Sequence, residues 1–380
     1  MRVLIAFDKF KDALTAQAAC EITRDIIAVQ HPDWALELCP LADGGEGFAS
    51  ILTQSVGGSW HDVEVSGPLR VPCVAGFGLV EFSRLPSAVK TRLDLPSTEK
   101  LAVIELASAS GIQSLSQALR DPWQTDTGGT GQLIRAAMDA GADAVLLGLG
   151  GSATNDLGLG ALFALGWRAE DAAGNPVPHA HPASWSHIHR LVPTDLTLPP
   201  IRIACDVSNP LLGPRGASAV FGPQKGLKPD DLPRLEAEMA RMAKLLGTAA
   251  HRPNLEATPG AGAAGGIAFA FLTAANAHLV PGFDLVEEWL DVARKVETAD
   301  LIITGEGRFD ESSLEGKGPG TLTRRALELG KSVKLFAGSV DVARPPLGCE
   351  ISAITPPHVE LPTALANAAT YLVAAVRRAI

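Results

Sequence analysis

The sequence predicts an α/β protein built from two domains. Its 380 residues exceed the ordinary size of one hydrophobic core and favour about two domains of roughly 100–200 residues each. Short apolar segments alternate with helix-like segments at both ends of the chain, whereas the middle of the chain has a different texture. Strands that alternate with helices are typical of a parallel sheet covered by helices.

The N-terminal segment predicts a strand, a helix and a second strand. Residues Arg2 to Phe7 form a short apolar run, and Leu14 to Val29 repeats apolar residues at helical spacing. Residues Ala35 to Cys39 form a second apolar run, which the glycine-rich segment Ala42 to Gly47 follows closely. This β-α-β order places a flexible turn at the carboxyl end of a strand.

The C-terminal third repeats the same alternation. The periodic segments Leu322 to Leu329 and Ala364 to Ile380 predict helices, and three short apolar segments predict strands. These strands are Asp300–Thr304, Val333–Ala337 and Ile351–Thr355. With the two N-terminal strands they would complete a five-strand parallel sheet with helices on both faces, for which the flavodoxin-like strand order is one candidate.

We therefore predict a discontinuous Rossmann/flavodoxin-like domain formed by residues 1–65 and 285–380. Residues 66–284 would form a second α/β domain that is inserted in the first, with the site in the cleft between them. In this middle region the segment Leu232 to Leu246 predicts a helix. The segment His179 to Pro200 is rich in proline and histidine without periodicity, so it predicts a surface loop.

The composition excludes several classes of function. The net charge is −10, the sequence pI is about 5.4, and no run of lysine or arginine forms a stripe, which argues against nucleic acid as a partner. The five cysteines include no Cys-x-x-Cys pair, so we expect the reduced thiols of a cytoplasmic protein. The most nonpolar stretch, Ala261 to Val280, contains three glycines, so we expect no membrane role.

Several glycine-rich segments carry the residue types that phosphoryl transfer requires. They are Ala42–Gly47, Gly128–Gly131, Gly148–Asp156, Pro259–Gly266 and Thr304–Lys317. Glycine lets the backbone approach a ligand closely, and neighbouring carboxylates and cations could hold Mg²⁺, neutralise charge and orient an attacking hydroxyl. The chain lacks both the Gly-x-x-x-x-Gly-Lys-Ser/Thr loop and the His-Arg-Asp segment of protein kinases, so another kinase architecture is indicated.

Long stretches of the sequence match one family in order. They are Asp8–Lys11, Leu41–Gly47, Gly150–Asp156, Ala204–Leu211, Gly213–Ala217, Phe221–Gly226, Pro259–Gly266, Asp300–Asp310 and Gly316–Lys317. These stretches resemble the glycerate kinase family of the bacterial two-domain type over nearly the whole chain. The resemblance implies transfer of the γ-phosphoryl group of ATP, with Mg²⁺, to a hydroxyl of glycerate, and it favours 2-phosphoglycerate over 3-phosphoglycerate as the product.

Three residues are candidates for catalysis. Asp206 follows the strand Ile201 to Cys205 and is the first choice as the general base that orients the attacking hydroxyl. Asp43 lies among glycines and is the next choice, although with Glu46 it would also suit a metal or cap a helix. Lys11 lies just past the first strand, where a parallel sheet presents its ligand edge, and could hold a carboxylate or a phosphate.

The segment after the strand Ala144 to Leu149 offers candidates for binding phosphate and metal. Gly150, Gly151 and Ser152 form a turn of small residues that could cradle phosphate. Asn155 could then face anionic oxygens and Asp156 could bind Mg²⁺ at a helix start. A capping role without chemistry is the alternative for this pair.

Charged side chains in two further segments could neutralise phosphate or hold Mg²⁺. Arg215 and Lys225 flank the turn 221–223, and a position on the solvated surface is the alternative for both. In the C-terminal segment, charges of alternating sign follow a hydrophobic strand beside glycines, which is hard to explain as plain surface. The candidates there are Gly305, Gly307, Arg308 and Lys317 for substrate or phosphate and Glu306 and Asp310 for metal.

Two other classes of function remain open. Gly148 to Ala153 follows a strand and fits the Gly-x-Gly-x-x-Gly/Ala pattern of an NAD(P)-dependent oxidoreductase, here of a small hydroxy acid. Gly158 and Gly160 disfavour the long helix that such an enzyme needs. A non-catalytic glycerate-binding sensor on the same scaffold is the other alternative, and the residue types leave open whether the chain forms a homodimer.

Overall fold

The computed structural model describes residues 1–42, 44–314, 318–343 and 345–380. The chain forms two compact units, one from Met1–Asp43 and Val286–Ile380 and the other from Gly44–Leu285. The predicted boundary at residue 65 therefore lies too late in the chain. The segment before it belongs to the second unit because the strand Ser59–Ser66 pairs with the strand Pro72–Glu81 of that unit's sheet.

Strands and helices are numbered in chain order over the described residues. The strands are β1 (Arg2–Phe7), β2 (Ala35–Leu38), β3 (Ser59–Ser66), β4 (Pro72–Glu81), β5 (Lys100–Glu105), β6 (Ala144–Gly148), β7 (Arg168–Glu170), β8 (Arg190–Val192), β9 (Ile201–Ala204), β10 (His278–Val280), β11 (Leu301–Asp310), β12 (Ser332–Asp341) and β13 (Cys349–Ala353). The helices are α1 (Ala16–Gln30), α2 (Phe48–Ser55), α3 (Ser87–Leu93), α4 (Ala107–Ser110), α5 (Gly128–Asp139), α6 (Leu159–Ala164), α7 (Ala217–Phe221), α8 (Leu232–Ala249), α9 (Ile267–Ala274), α10 (Gly282–Trp289), α11 (Val292–Thr298), α12 (Glu311–Leu314), α13 (Gly318–Glu328), α14 (Leu361–Ala366) and α15 (Ala368–Ala379). Among the described residues, no helix is both long enough and apolar enough to cross a bilayer.

The first unit contains the predicted five-strand parallel sheet. Its strand order is β2-β1-β11-β12-β13, and each neighbouring pair is parallel. This is the flavodoxin-like order when the strands of the unit are counted along the chain, so that prediction is confirmed. Val3 and Ile5 are buried with residues of α1 and α15, and Leu4 and Ala6 are equally buried. Because successive strand residues point to opposite faces, both faces of the sheet are covered.

The second unit contains a mixed sheet with the order β10-β9-β6-β5-β4-β3. The strands β10, β9, β6 and β5 are parallel, whereas β4 and β3 run antiparallel to their neighbours. The central strands β6 and β9 are buried along their whole length, as expected for parallel strands covered on both faces. The carboxyl ends of the parallel strands lie at one edge, so the loops that follow them are neighbours.

The segment His179 to Pro200, predicted as a surface loop, is partly a core element. Trp185 is 0% exposed, and its indole Nε1 donates a hydrogen bond to the carbonyl oxygen of Ala180 at 2.8 Å. The guanidinium of Arg241 donates to the carbonyl oxygens of Trp185 and Ile188. The segment shows no periodicity because a few large buried side chains hold it in place, and it has no helix or strand face with regularly spaced apolar residues.

Candidate functional site

Two glycine-rich segments of the second unit meet at the carboxyl ends of its parallel strands. The amide of Gly150 donates a hydrogen bond to the carbonyl oxygen of Gly44 at 3.0 Å. A Cβ atom on Gly150 would lie 2.5 Å from the Cα of Gly45, and one on Gly148 would lie 2.6 Å from the carbonyl oxygen of Gly44. The two loops therefore touch backbone to backbone, an approach that residues with a Cβ could not make.

A third glycine-rich segment packs against the same loop. A Cβ atom on Gly265 would lie 2.1 Å from the carbonyl oxygen of Thr154, and the amide of Leu157 donates to the carbonyl oxygen of Gly265 at 3.0 Å. Gly265 and Gly266 have φ angles of 72° and 95°, which glycine adopts without strain, and α9 begins at the next residue. The segment Thr154 to Leu157 is thus fixed by a second backbone contact.

Lys225, predicted to neutralise phosphate, is buried beneath this loop. Its side chain is 1% exposed, and Nζ donates to Ser152 Oγ at 2.8 Å and to the carbonyl oxygen of Thr154 at 2.6 Å. Burial lowers the pKa of Lys225 to about 7, and the negative charge of Asp156 opposes this shift. Because the ammonium donates to the serine oxygen, the hydroxyl hydrogen of Ser152 can point toward a ligand.

Asn155 brings an unsatisfied acceptor to the loop. The residue is 0% exposed, and its Nδ2 donates to Ser218 Oγ at 2.9 Å. Within the described part of the chain, neither Oδ1 of Asn155 nor Oγ1 of Thr154 has a hydrogen-bond partner. A buried polar atom without a partner costs about 1–3 kcal/mol, so a ligand that supplies a donor here would be favoured.

Asp156, predicted as a metal ligand, has a geometry that favours a structural role. The buried carboxylate accepts hydrogen bonds from the amide and the hydroxyl of Thr127, both at 2.8 Å, and from the amides of Gly160 at 3.0 Å and Gly158 at 3.2 Å. Burial raises its pKa to about 6, and the neighbouring carboxylate of Asp126 adds to the increase. With protein donors on both oxygens, the side chain ties the starts of α5 and α6, and its role in binding Mg²⁺ stays a prediction.

Asp206 and Arg215 are exposed on the loop that follows β9. The Oδ1 atom of Asp206 accepts a hydrogen bond from the amide of Phe283 at 3.0 Å, in the first turn of α10. The carbonyl oxygen of Arg215 accepts a hydrogen bond from Nδ2 of Asn209 at 2.7 Å, which fixes the backbone of the loop. Both side chains are therefore accessible on a supported backbone, as residues that meet a substrate must be.

Glu105 is a residue of this site that the sequence interpretation missed. It ends β5, is buried, and accepts hydrogen bonds from the amide of Gly47 at 3.3 Å and from that of Ala49 at 2.9 Å. A carboxylate suits this position because the start of a helix, here α2, carries partial positive charge. The available signal was a single carboxylate inside the otherwise apolar segment 101–106.

In the first unit, glycines bring the segment after β1 close to the middle of β11. The amide of Asp8 donates to the carbonyl oxygen of Gly305 at 2.9 Å, and a Cβ atom on Gly305 would lie 1.8 Å from the carbonyl oxygen of Phe336. A Cβ atom on Gly307 would lie 3.1 Å from the amide nitrogen of Lys11. The predicted glycines Gly305 and Gly307 thus permit a tight backbone crossing that brings Asp8 beside β11.

Glu306 is the carboxylate of this unit that best fits a metal site. Its Oε1 atom is buried without a hydrogen-bond partner in the described residues. Burial raises its pKa to about 7; a hydrogen bond from Ser313 opposes the shift, and the carboxylates of Asp8 and Asp310 add to it. A cation would relieve this cost. In the described ranges no three His, Cys, Asp or Glu residues form a metal cage, and Mg²⁺ commonly uses only one or two carboxylates with waters and phosphates.

The other predicted residues of the first unit differ in how they are held. Arg308 is 62% exposed and lies 2.7 Å from Asp341 Oδ2 and 3.2 Å from Asp310 Oδ2. Lys11 is exposed. Asp43 and Lys317 lie outside the described residues, so their roles stay predictions.

The local structure argues against the alternative function, a dinucleotide-binding enzyme. The strand β6 ends at Gly148, and the next helix, α6, begins only at Leu159 and has 6 residues. A dinucleotide fingerprint requires a strand that leads directly into a long helix. Here the glycines belong to the interlocked loop instead.

Comparisons with known proteins agree with the family resemblance of the sequence. The model of the glycerate kinase family matches residues 3–380. The glycerate kinase of Bacillus subtilis (strain 168) is 38% identical over 351 residues, which cover 90% of this chain and 85% of that protein. The glycerate 2-kinase of Escherichia coli (strain K12) is 34% identical over 347 residues, covering 90% and 86%. A solved structure from Salmonella typhimurium LT2, assigned as a glycerate kinase 2, matches with a TM-score of 0.74 and 35% identity, covering 100% of this chain and 97% of that one. The chain therefore belongs to the glycerate kinase family.

Proposed function

We propose that this chain is an ATP-dependent glycerate kinase that transfers the γ-phosphoryl group of ATP to a hydroxyl of D-glycerate and forms 2-phosphoglycerate. The observation that carries the proposal is the interlocking of the glycine-rich loops at one edge of the second unit's sheet. ATP, bound with Mg²⁺, supplies the phosphoryl group. The chain supplies binding, orientation and charge, which account for most of the catalysis in phosphoryl transfer.

The loop that contains Ser152 and Asn155 is the proposed anion cradle. A chain of net charge −10 repels anions overall, so local donors must hold them. The hydroxyl of Ser152 can donate to an anionic oxygen because Lys225 already donates to its oxygen. The amine of Lys225 lies beneath the loop and supports it without direct contact to a ligand, and Asn155 is proposed to help bind substrate or phosphate.

Asp206 is the proposed general base, and Arg215 is proposed to neutralise the transferred phosphoryl group. Both are exposed on the loop after β9, at the sheet edge where α/β proteins bind ligands. The amide of Phe283 restricts the Asp206 carboxylate to one orientation. A carboxylate fixed in this way can accept a hydrogen bond from the substrate hydroxyl and keep it directed at phosphorus.

In the first unit, Glu306 and Asp310 are proposed to bind the Mg²⁺ that accompanies ATP. The fit rests on the buried, unpartnered Oε1 of Glu306 and on the nearby carboxylates that raise its pKa. We propose that three basic residues contact substrate or phosphate: Lys11, Arg308 and Lys317. Asp43 stays the second candidate for the general base. We also propose a cytoplasmic location. We further propose a homodimeric assembly, and light scattering of the purified protein would test this assembly.

The experiment that tests this function follows phosphorus. The purified protein, ATP, Mg²⁺ and D-glycerate are incubated, and ³¹P NMR identifies the product. We expect ADP and 2-phosphoglycerate in equal amounts. Formation of 3-phosphoglycerate would correct the site of transfer, and glycerate binding without ATP consumption would favour a sensor. Turnover of NAD(P) with glycerate but not of ATP would overturn the proposal.

A further inference from the structure

A cavity of about 540 Å³ lies in the second unit, at the carboxyl ends of α8 and α9. Trp167, Leu196 and Leu198 form part of its wall, and Ala249 and Ala274 contribute the ends of the two helices. Cavities that bind small organic molecules commonly measure about 300–1,000 Å³ and combine apolar walls with a few polar groups. The volume therefore fits an organic ligand of moderate size.

The polar lining of this cavity is basic. It contains Arg252 and His251 but no aspartate or glutamate, in a chain whose net charge is −10. An Nη atom of Arg252 donates to Oδ1 of Asn276 at 2.7 Å, and its backbone amide donates to the carbonyl oxygen of Gly247 at 2.9 Å. The guanidinium is thus held by a neutral amide, which leaves its charge and further donors for an anion.

The turns that carry these groups end α8 and α9 in the same way. His251 and Asn276 adopt φ angles of 55° and 49° and directly follow the helix C-caps Ala250 and Ala275. A residue in the left-handed region commonly ends a helix at this position. The two turns direct two polar residues from the ends of different helices toward the same cavity.

The helix α9 connects this cavity to the proposed anion cradle. Its N-terminal end follows Gly265, which contacts the backbone of Thr154 and Asn155, and its C-terminal end lines the cavity with Thr273 and Ala274. The helix is buried over most of its length and spans about 12 Å from end to end. The cavity and the proposed anion cradle therefore share one packed helix.

We propose that this cavity is a second binding site, for a small organic acid with an apolar or aromatic body and one carboxylate. The body packs on Trp167 and the leucine walls, and the carboxylate binds Arg252 and His251. A neutral molecule of the same shape loses the ionic contact, and a cation is repelled. This inference does not depend on the proposed kinase reaction, because no residue of the cavity belongs to that site.

The test uses two probes of the same shape, indole-3-acetate and its neutral amide, indole-3-acetamide. Saturation-transfer NMR suits the millimolar affinity that about 13 non-hydrogen atoms provide. We expect indole-3-acetate to bind at least fivefold more tightly than the amide. Arg252→Gln should abolish this preference, and Ala274→Leu should weaken binding of both probes by occupying part of the cavity. Arg24, whose side chain is 43% exposed and pairs with Asp25, offers a matched control in Arg24→Gln, which should bind like the wild type.

Three results would overturn the inference. They are equal binding of the two probes to the wild type, an unchanged preference in folded Arg252→Gln, and undiminished binding to Ala274→Leu. Circular dichroism verifies the fold of each variant. If Ala274→Leu does not fold, the preference of Arg252→Gln between the two probes is sufficient to test the inference. Without probes, the ATP and D-glycerate kinetics of Arg252→Gln should equal those of the wild type. A protein that shows no kinase activity but follows this binding pattern would refute the proposed function and leave the second site intact.

Discussion

At the scale of single residues, the charged groups of the second unit divide by exposure. Lys225 and Asp156 are buried, and their hydrogen bonds go to the loops around them. Asp206 and Arg215 are exposed at the edge of the same sheet. A buried polar group that is hydrogen-bonded to the protein fixes neighbouring backbone, whereas an exposed charge can meet a substrate. This division is the physical basis for assigning chemistry to Asp206 and support to Lys225.

We predict that Asp206→Asn lowers kcat about 100-fold or more, which is the contribution of a positioned general base. The substitution keeps the volume of the side chain and an oxygen that can still accept from Phe283, so the fold and the KM for ATP should change little. Steady-state kinetics with D-glycerate measure the effect. The exposed Asp139 provides the control variant Asp139→Asn, with expected wild-type rates. A near-normal kcat for Asp206→Asn would transfer the assignment to Asp43.

At the scale of elements, loops rather than helices build the site. The segments around Gly44, Gly150 and Gly265 make direct backbone contacts, so each loop restricts the next. Glu105 adds a side-chain contact by accepting from the amides at the start of α2. Glycine in these segments serves close packing between loops as much as approach to a ligand.

We predict that Gly150→Ala destabilises the protein by about 1–3 kcal/mol and reduces kcat/KM at least tenfold. The new Cβ atom would lie 2.5 Å from Cα of Gly45, a backbone atom that cannot rotate away. Urea denaturation measures the stability and steady-state kinetics the activity.

A matched control is Gly174→Ala, where φ is 86° and no atom lies within 4 Å of the added Cβ. That variant carries only backbone strain of about 1–2 kcal/mol and should keep full activity. Equal activity losses in both variants would show that the contact between the loops does not matter for the site.

At the scale of the whole molecule, the shifted pKa values of Asp156, Glu306 and Lys225 make stability depend on pH around neutrality. Burial raises the pKa of Asp156 from 3.8 to about 6 and that of Glu306 from 4.5 to about 7. It lowers the pKa of Lys225 from 10.5 to about 7. Folding therefore favours the neutral form of each group, and their combined contribution is least favourable near neutral pH, where all three are charged in the unfolded chain.

We predict that the free energy of unfolding falls between about pH 4 and 7 through the two carboxylates. In that range the folded chain holds protons that the unfolded chain has lost. Between about pH 7 and 10 the unfolded lysine keeps a proton that the folded lysine releases, so the contribution of Lys225 to the free energy of unfolding should rise. The slope from Lys225 reaches up to about 1.4 kcal/mol per pH unit. Urea denaturation of the wild type and Lys225→Met at pH 7.5 and 9.5 should give curves whose difference changes with pH, and parallel curves would contradict the prediction.

The sequence alone predicted the fold class and most elements of the first sheet. The strand β1 was predicted over its observed range, and β2 and α8 were predicted within a few residues. The five-strand parallel sheet is also as predicted. These features could be read from the sequence because alternation, helical spacing and glycine content are local properties of a chain.

The tertiary structure decided what depends on distant contacts. It placed the segment 44–65 in the second unit because β3 pairs with β4, and it buried Trp185 in a segment without periodicity. It also placed Lys225 beneath Ser152, which is 73 residues away in the chain. It brought Glu105 into hydrogen-bonding contact with Gly47, which lies 58 residues earlier. No local pattern encodes such pairs, because burial and hydrogen bonding are set by which segments the folded chain brings together.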